Sequence, residues 1–283
     1  MTKANNHFRD GIGRRALIAA VTLAAVLPLV VPHVTNARSL DDAKRSGKLV
    51  VGVSGDNPPF GFVDTSGTQQ GYDSEIAKAF AKNLGLELEF IQLSLAARIP
   101  SLLSEKVDIL IAGLGMTPER AKSIQFTMPY LETKMYVVGK RDTKITSPDN
   151  LGSLSIGTPR SSTLDTLLTA VAPKSTDIRR FDDDSATIQA LLSGQVPAIA
   201  ANQFAMERLE GLAPGTYENK IVIGGVWYGA ATRPGEKDWN KAFNDFFQAY
   251  RTSDEYRALF KKWIKNDVPQ FPAELKGITF VAQ

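Results

Sequence analysis

Apolar and polar positions fall into two periods along this chain. From Asp73, the residues Ile76, Phe80 and Leu84 recur every four positions and Gly85 follows, the pattern of an amphipathic helix with a glycine stop. Leu86, Leu88 and Phe90 then alternate with Glu87, Glu89 and Ile91, which is a strand period. Upstream, Leu49 to Val53 is an apolar strand running into Ser54–Phe60, a loop in which Pro58 and Pro59 hold an aromatic ring out of regular structure. Arg98-Ile-Pro100 opens another helix, and Val107 to Ile111, between Lys106 and Gly113, is a short buried strand. The order β-α-β-α-β gives, with right-handed crossovers, a parallel sheet with helices on its faces.

Phe126 to Tyr130 reads as a turn, and Lys134 to Gly139 as a strand leading into a second α/β unit. Its strands are Leu154–Gly157, Arg179–Phe181 and Val196–Ala201, and its helices Ser162–Val171, Ser185–Ser193 and Phe204–Leu209. Ile221 to Thr232 is a returning strand. Two closing helices carry Trp239, Phe243, Phe246 and Phe247, then Tyr256, Leu259, Phe260 and Trp263 behind a Ser253 cap; the helical spacing assigns these stripes to core packing rather than ligand stacking.

The first 37 residues change the charge picture. Arg9, Arg14 and Arg15 precede the apolar run Ala16 to Val31 and the small-residue end Thr35-Asn36-Ala37, the form of a secretory signal peptide cut near Ala37, which places the product in the periplasm. The run is short for a membrane span. Removal of residues 1–37 takes away Lys3, Arg9, Asp10, Arg14 and Arg15, so the formal charge of +3 becomes about zero and a phosphate-backbone partner loses its electrostatic support. His7 and His33 leave with that segment and the chain has no cysteine. Ser-His-Asp and Cys-His nucleophilic sites, the usual zinc ligand sets, disulfides and a lipid-modified cysteine are all excluded; no cofactor and no metal are expected, and the product should be free and soluble.

Ile111-Ala-Gly-Leu-Gly-Met-Thr-Pro-Glu-Arg120 is the stretch with the most chemistry. Thr117 fits a helix N-cap, Pro118 the first helical position and Arg120 the third, where free amides already make the potential positive. A guanidinium there is useful if a carboxylate or phosphate arrives to meet it together with the amides, and Gly113 and Gly115 let such a group approach the main chain. A turn with a solvated arginine is the alternative. A second helix start, Gly157-Thr-Pro-Arg-Ser-Ser-Thr163, with Ser161 or Ser162 as its cap, offers amides to the same anion from the opposite side.

Seven short pieces in order, Gly52…Pro58-Pro-Phe60, Gly71-Tyr-Asp73, Ile99-Pro-Ser-Leu102, Val107-Asp108, Thr117-Pro-Glu-Arg120, Phe126…Pro129-Tyr130 and Lys262-Trp263, resemble the periplasmic solute-binding proteins of polar amino-acid ABC transporters, bacterial solute-binding protein family 3. The resemblance implies the two-lobe type II periplasmic binding protein fold, an α/β class in which each lobe is a mainly parallel sheet flanked by helices. Lobe 1 would be residues 38–140 and 230–283 and lobe 2 residues 141–229, joined by two hinge strands near Tyr136–Arg141 and Trp227–Thr232. It implies a monomer that closes on an amino acid and delivers it to a membrane permease.

By position, the resemblance puts the carboxylate-binding arginine on Arg120, aided by Gly115, Ser162 and Thr163, and an ammonium-accepting carbonyl on Gly113. Phe60, Asn57 and Leu95 fall among the side-chain pocket residues. Two positions depart from the common pattern: Gly115 replaces a hydroxyl residue and Asn202 replaces an aspartate that faces the amine. Arg98 resembles the second arginine of members that bind acidic amino acids, which points to glutamate or aspartate; a solvated arginine at a helix start is the other reading. The competing class is an enzyme resembling cyclohexadienyl or arogenate dehydratases, which need a carboxylic acid in the cleft. Asn202-Gln203 supplies none, and Asp182-Asp-Asp184 reads as a solvated loop cluster, so an enzyme is not expected. A sensor ectodomain would need a membrane span after the second lobe, which is not expected either.

Overall fold

A computed structural model describes residues 38–282; the predicted signal peptide and its cleavage point lie outside the described residues. The strands are β1 Lys48–Val53, β2 Asp56–Asn57, β3 Gly61–Val63, β4 Gln69–Gln70, β5 Glu87–Gln92, β6 Ile109–Leu110, β7 Gln125–Lys140, β8 Ser155–Pro159, β9 Asp177–Phe181, β10 Ala198–Asn202 and β11 Tyr217–Thr232. The helices are α1 Leu40–Ser46, α2 Tyr72–Leu84, α3 Arg98–Leu103, α4 Thr163–Val171, α5 Asp184–Leu192, α6 Ala205–Leu212, α7 Lys237–Tyr250 and α8 Asp254–Ile264. Among the described residues, no helix is long and apolar enough to cross a membrane.

Eight strands form one sheet in the order β5-β1-β6-β11-β7-β10-β8-β9. β1 runs parallel to β5 and β6, and β8 parallel to β9 and β10, so each end of the sheet is the parallel unit that the βαβ pattern predicts. The centre is different. β7 and β11 are long antiparallel strands common to both ends: β11 meets β6 at Ala231, whereas β7 meets β10 over Met135–Gly139. The sheet therefore changes partners between Glu132 and Met135 on β7, opposite Trp227 to Gly224 on β11.

Several local expectations need correction. Phe126–Tyr130 is not a turn but the start of β7. Pro129 has no N–H to donate, and the register slips twice beside it, between Tyr228 and Gly229 and between Gly229 and Ala231, which lets the strand continue past it. The helix expected from Thr117 is one short 3-10 turn, Arg120–Lys122. Thr117 Oγ1 still accepts the amide of Arg120 at 3.2 Å, so the cap forms without a helix to follow it. The strand at Val107–Ile111 pairs only over Ile109–Leu110. Helix α1, capped by Ser39, was not anticipated.

The aromatic stripes are core. Trp239, Phe243, Phe247, Tyr256 and Phe260 are buried, with Phe243 and Phe247 stacked at 5.9 Å and Tyr256 edge-on to Phe247 at 5.4 Å. This block fixes α2, α7 and α8 against one half of the sheet and leaves the loops at the strand ends free to make a site.

Candidate ligand cleft

The loop after β6 runs beside β11 rather than away from it. Met116 N donates to Trp227 O (2.8 Å), Gly229 N to Leu114 O (3.2 Å), and Gly115 bridges Tyr228. Gly113 takes φ +56°, the left-handed conformation that glycine adopts at no steric cost, and this turns the peptide toward the centre of the molecule. At Gly115 a Cβ would collide with Thr163 Oγ1 and sit 3.2 Å from Val226 Cγ2. The absence of a hydroxyl side chain at 115 is thus matched by the hydroxyl of Thr163, brought in from the other half of the sheet.

Arg120 follows this loop and spans the two halves. Its Nη1 donates to Gly115 O (2.8 Å) and Thr163 Oγ1 (3.4 Å), and its Nη2 to Ser161 O (3.0 Å). Burial, and then the like charge of Arg98, bring its pKa down to about 10, so it stays cationic at neutral pH. Opposite it, Ser162 caps α4: its Oγ accepts Asp165 N at 3.1 Å and donates to Pro159 O at 2.6 Å. With Asp165 N taken by the cap, the amides of Thr163 and Leu164 at the start of α4 face the guanidinium's neighbourhood without an intrahelical acceptor. A carboxylate between Arg120 and these amides would meet a charge-assisted donor set from both sides.

Eight of the ten residues singled out from sequence, Asn57, Leu95, Arg98, Gly113, Arg120, Ser162, Thr163 and Asn202, line one cavity of about 20 Å³ between the halves. The other two do not: Gly115 contributes its carbonyl to Arg120, and Phe60 is wholly buried behind Gly113, edge-on to Tyr228 and to Phe204 at 5.3 Å each. Arg98 is 2% exposed, which removes the solvated reading; its Nη2 donates to Ser54 Oγ and its Nε has no partner. Asn202 Oδ1 accepts Phe204 N at 3.0 Å, so one of its lone pairs holds its own turn.

Residues 49–266 match the bacterial extracellular solute-binding proteins, family 3. This chain belongs to that family. It is 28% identical over 263 residues to the L-cystine-binding protein TcyJ of Escherichia coli (strain K12), covering 91% of this chain and 97% of that protein. It is 31% identical to the ABC transporter glutamine-binding protein GlnH of Bacillus subtilis (strain 168), covering 82% and 85%. The arginine-bound form of truncated ArgBP from T. maritima superposes with a TM-score of 0.70 at 28% identity, covering 75% of this chain and 100% of that one. The fold is the type II periplasmic binding protein fold, and the family's business is solute capture rather than catalysis.

Two acidic groups at this cleft have no role in the sequence reading. Asp184, expected in a solvated cluster, lines the cavity together with Tyr228, Met135 and Leu164. The cluster splits because Asp183 caps α5, its Oδ1 accepting Ala186 N at 2.7 Å. That leaves Asp182 exposed and turns Asp184 inward as the first helical residue. Burial, then the negative charge of Asp56, push Asp184 up to about 6, against the pull of Arg98 and Arg208. The N-cap rule applied to Asp183 would have found this geometry from sequence. Asp73 lies deeper, fully buried beneath Gly113, and burial pushes it up to about 7. The reading of Asp182-Asp-Asp184 as a solvated loop cluster is therefore wrong for Asp184, although the absence of a carboxyl group at 202 stands.

Proposed function

We propose that this chain captures an amino acid in the extracytoplasmic space between two lobes and delivers it to an ABC transporter permease, the lobes parting on β7 near Glu132–Met135 and on β11 near Gly224–Trp227 rather than at the 140/141 and 229/230 boundaries expected from sequence. The observation that carries this reading is Arg120 reaching from one half to the capped start of α4 in the other. In this reading the α-carboxylate lies between the guanidinium, Ser162, Thr163 and the α4 amides, and the ammonium meets the Gly113 carbonyl. Asn57 and Leu95 bound the side chain, and Asn202 lies on the amine side. Because the cavity is about 20 Å³, a solute enters and leaves only when the halves part. The change of sheet partners at Glu132–Met135 and Gly224–Trp227 is the place for that movement, and Gly224 (φ +151°) and Gly225 give β11 its freedom there.

The preferred ligand carries a second carboxylate, as glutamate and aspartate do. Arg98, buried with an unpartnered Nε, is a cation awaiting an acceptor, and a second guanidinium near Arg120 favours a dianionic over a cationic solute. Asp184 beside Arg98 favours a neutral polar side chain instead, so glutamine is the second reading. Calorimetric titration against the twenty amino acids and cystine tests both. We expect micromolar glutamate or aspartate, about −8 kcal/mol, and no lysine or arginine. Arg120→Ala should weaken binding at least about 30-fold, the effect of stripping one partner from a buried charged hydrogen bond. Tight lysine or arginine binding without glutamate rejects the Arg98 role, and unchanged capture by the Arg120 variant rejects the whole reading.

A further inference from the structure

The amine end of the proposed site poses a charge problem. In this chain the positions expected to face an ammonium, 115 and 202, are a glycine and a neutral amide, which leaves the Gly113 carbonyl as the acceptor. A cation held by a carbonyl alone in a dry cleft is costly unless an anion lies near. Asp73 is that anion by position. It is the second residue of α2, is 0% exposed, and places Oδ2 3.7 Å from where a Cβ on Gly113 would be. Neither of its carboxylate oxygens has a hydrogen-bond partner of good geometry, and the nearby Tyr130 hydroxyl is equally unpartnered.

The groups around Asp73 come from every element packed on it. Tyr130 approaches from β7, the Gly113 amide from the loop after β6, Tyr228 from β11, Tyr72 from its own helix, and the positive charge of Arg98 from α3. Burial outweighs the tyrosine, the amide and Arg98, so the carboxyl titrates near 7. No other full positive charge among these neighbours competes with Arg98.

Resting on the amino-acid reading above, we propose that Asp73 is the positioning residue that balances the ligand's ammonium from beneath Gly113, and that it gives up its proton as the amino acid binds. An incoming cation favours the carboxylate, so the group has a lower pKa in the complex than in the free protein. Binding then releases a proton, and affinity falls as pH drops through about 7, by tenfold for each unit that the pKa is lowered in the complex. Asp184 titrates about one unit lower and adds to the release chiefly below pH 6.5.

The test is calorimetry at pH 7 in phosphate and in Tris, whose ionisation heats differ, using whichever of L-glutamate, L-glutamine and L-cystine binds best. The wild type should release about half a proton per ligand, since a group titrating near 7 is half protonated there. Asp73→Asn, which keeps the shape of the protonated acid, should melt cooperatively, release almost none, and bind with an affinity that is flat between pH 6.5 and 8. Asp184→Asn should keep most of the release at pH 7, and 2-oxoglutarate, which lacks the amine, should cause none in the wild type. The proposal is overturned if the wild type releases no proton, or if the release survives in Asp73→Asn and vanishes in Asp184→Asn. If none of the amino acids binds at all, the proposed function itself fails, which is a different result.

Discussion

Gly115 shows how one residue ties the two halves together. Its missing Cβ is the space that Thr163 Oγ1 enters, while its carbonyl holds Arg120, so a methyl group there obstructs the closed cleft and meets the core only at the edge, against Val226. Gly115→Ala should therefore weaken amino-acid binding about tenfold, an effect of ~1.4 kcal/mol on closure, while leaving the unfolding temperature of the ligand-free protein nearly unchanged. Adding Thr163→Ala removes the colliding hydroxyl and should restore part of the loss, a coupling that a double-mutant cycle by calorimetry measures directly. Equal and additive losses would mean that the two residues do not meet on closure. The same scale shows the limits of reading motifs. Arg120 and Ser162 announce themselves by helix-start chemistry, but the burial of Arg98 and the inward turn of Asp184 depend on what packs above them.

At the scale of elements, α7 does more than fill the core. Asn240 and Asn244, one turn apart and nearly buried, form a ladder of amides between the start of β7 and the C-terminal segment. Asn244 Oδ1 accepts Met128 N at 2.8 Å and its Nδ2 donates to Phe280 O at 2.8 Å, while Asn240 Nδ2 donates to Phe126 O at 3.0 Å and its Oδ1 accepts Ala282 N at 3.0 Å. The segment so clasped lies past residue 266, where the family match ends, and Phe271 packs edge-on against Trp227 of β11 and Phe247 of α7. Asn244→Ala leaves a strand amide and a tail carbonyl without partners. It should cost about 2–4 kcal/mol in urea unfolding and open the C-terminal segment to limited proteolysis. A loss under ~0.5 kcal/mol would show that water replaces both bonds.

Across the whole molecule, buried Asp73 and half-buried Asp184 give stability a pH dependence opposite to that of ordinary surface carboxylates. Asp73 and Asp184 titrate near 7 and 6 when folded and near 3.8 when unfolded. Between these limits the folded chain holds protons that the unfolded chain has lost, so stability falls as pH rises, by up to about 1.4 kcal/mol per unit per group. Asp64, hydrogen-bonded to Ser66 and the Thr68 amide and lowered to about 2, works the other way and loses its contribution only below pH 4. The ligand-free protein should thus melt highest near pH 4 and progressively lower towards pH 8, with Asp73→Asn flattening that decline; a melting temperature that climbs from pH 5 to 8 would contradict the burial of these groups as charged-state penalties. The amino-acid sequence by itself determined the α/β class, most helices and strands, the core role of the aromatic stripes, the family, and eight of the twelve residues that line the cavity, because helix periods, caps and proline-glycine punctuation are local properties of the chain. Tertiary structure alone decided that Phe126–Tyr130 extends a long central strand, that Phe60 sits behind the cleft, that Arg98 is sealed from water, and that Asp73 and Asp184 bring negative charge to it. Those outcomes follow from which surfaces meet when distant segments pack, and burial, which sets the charge of an acid, belongs to that packing rather than to any stretch of sequence.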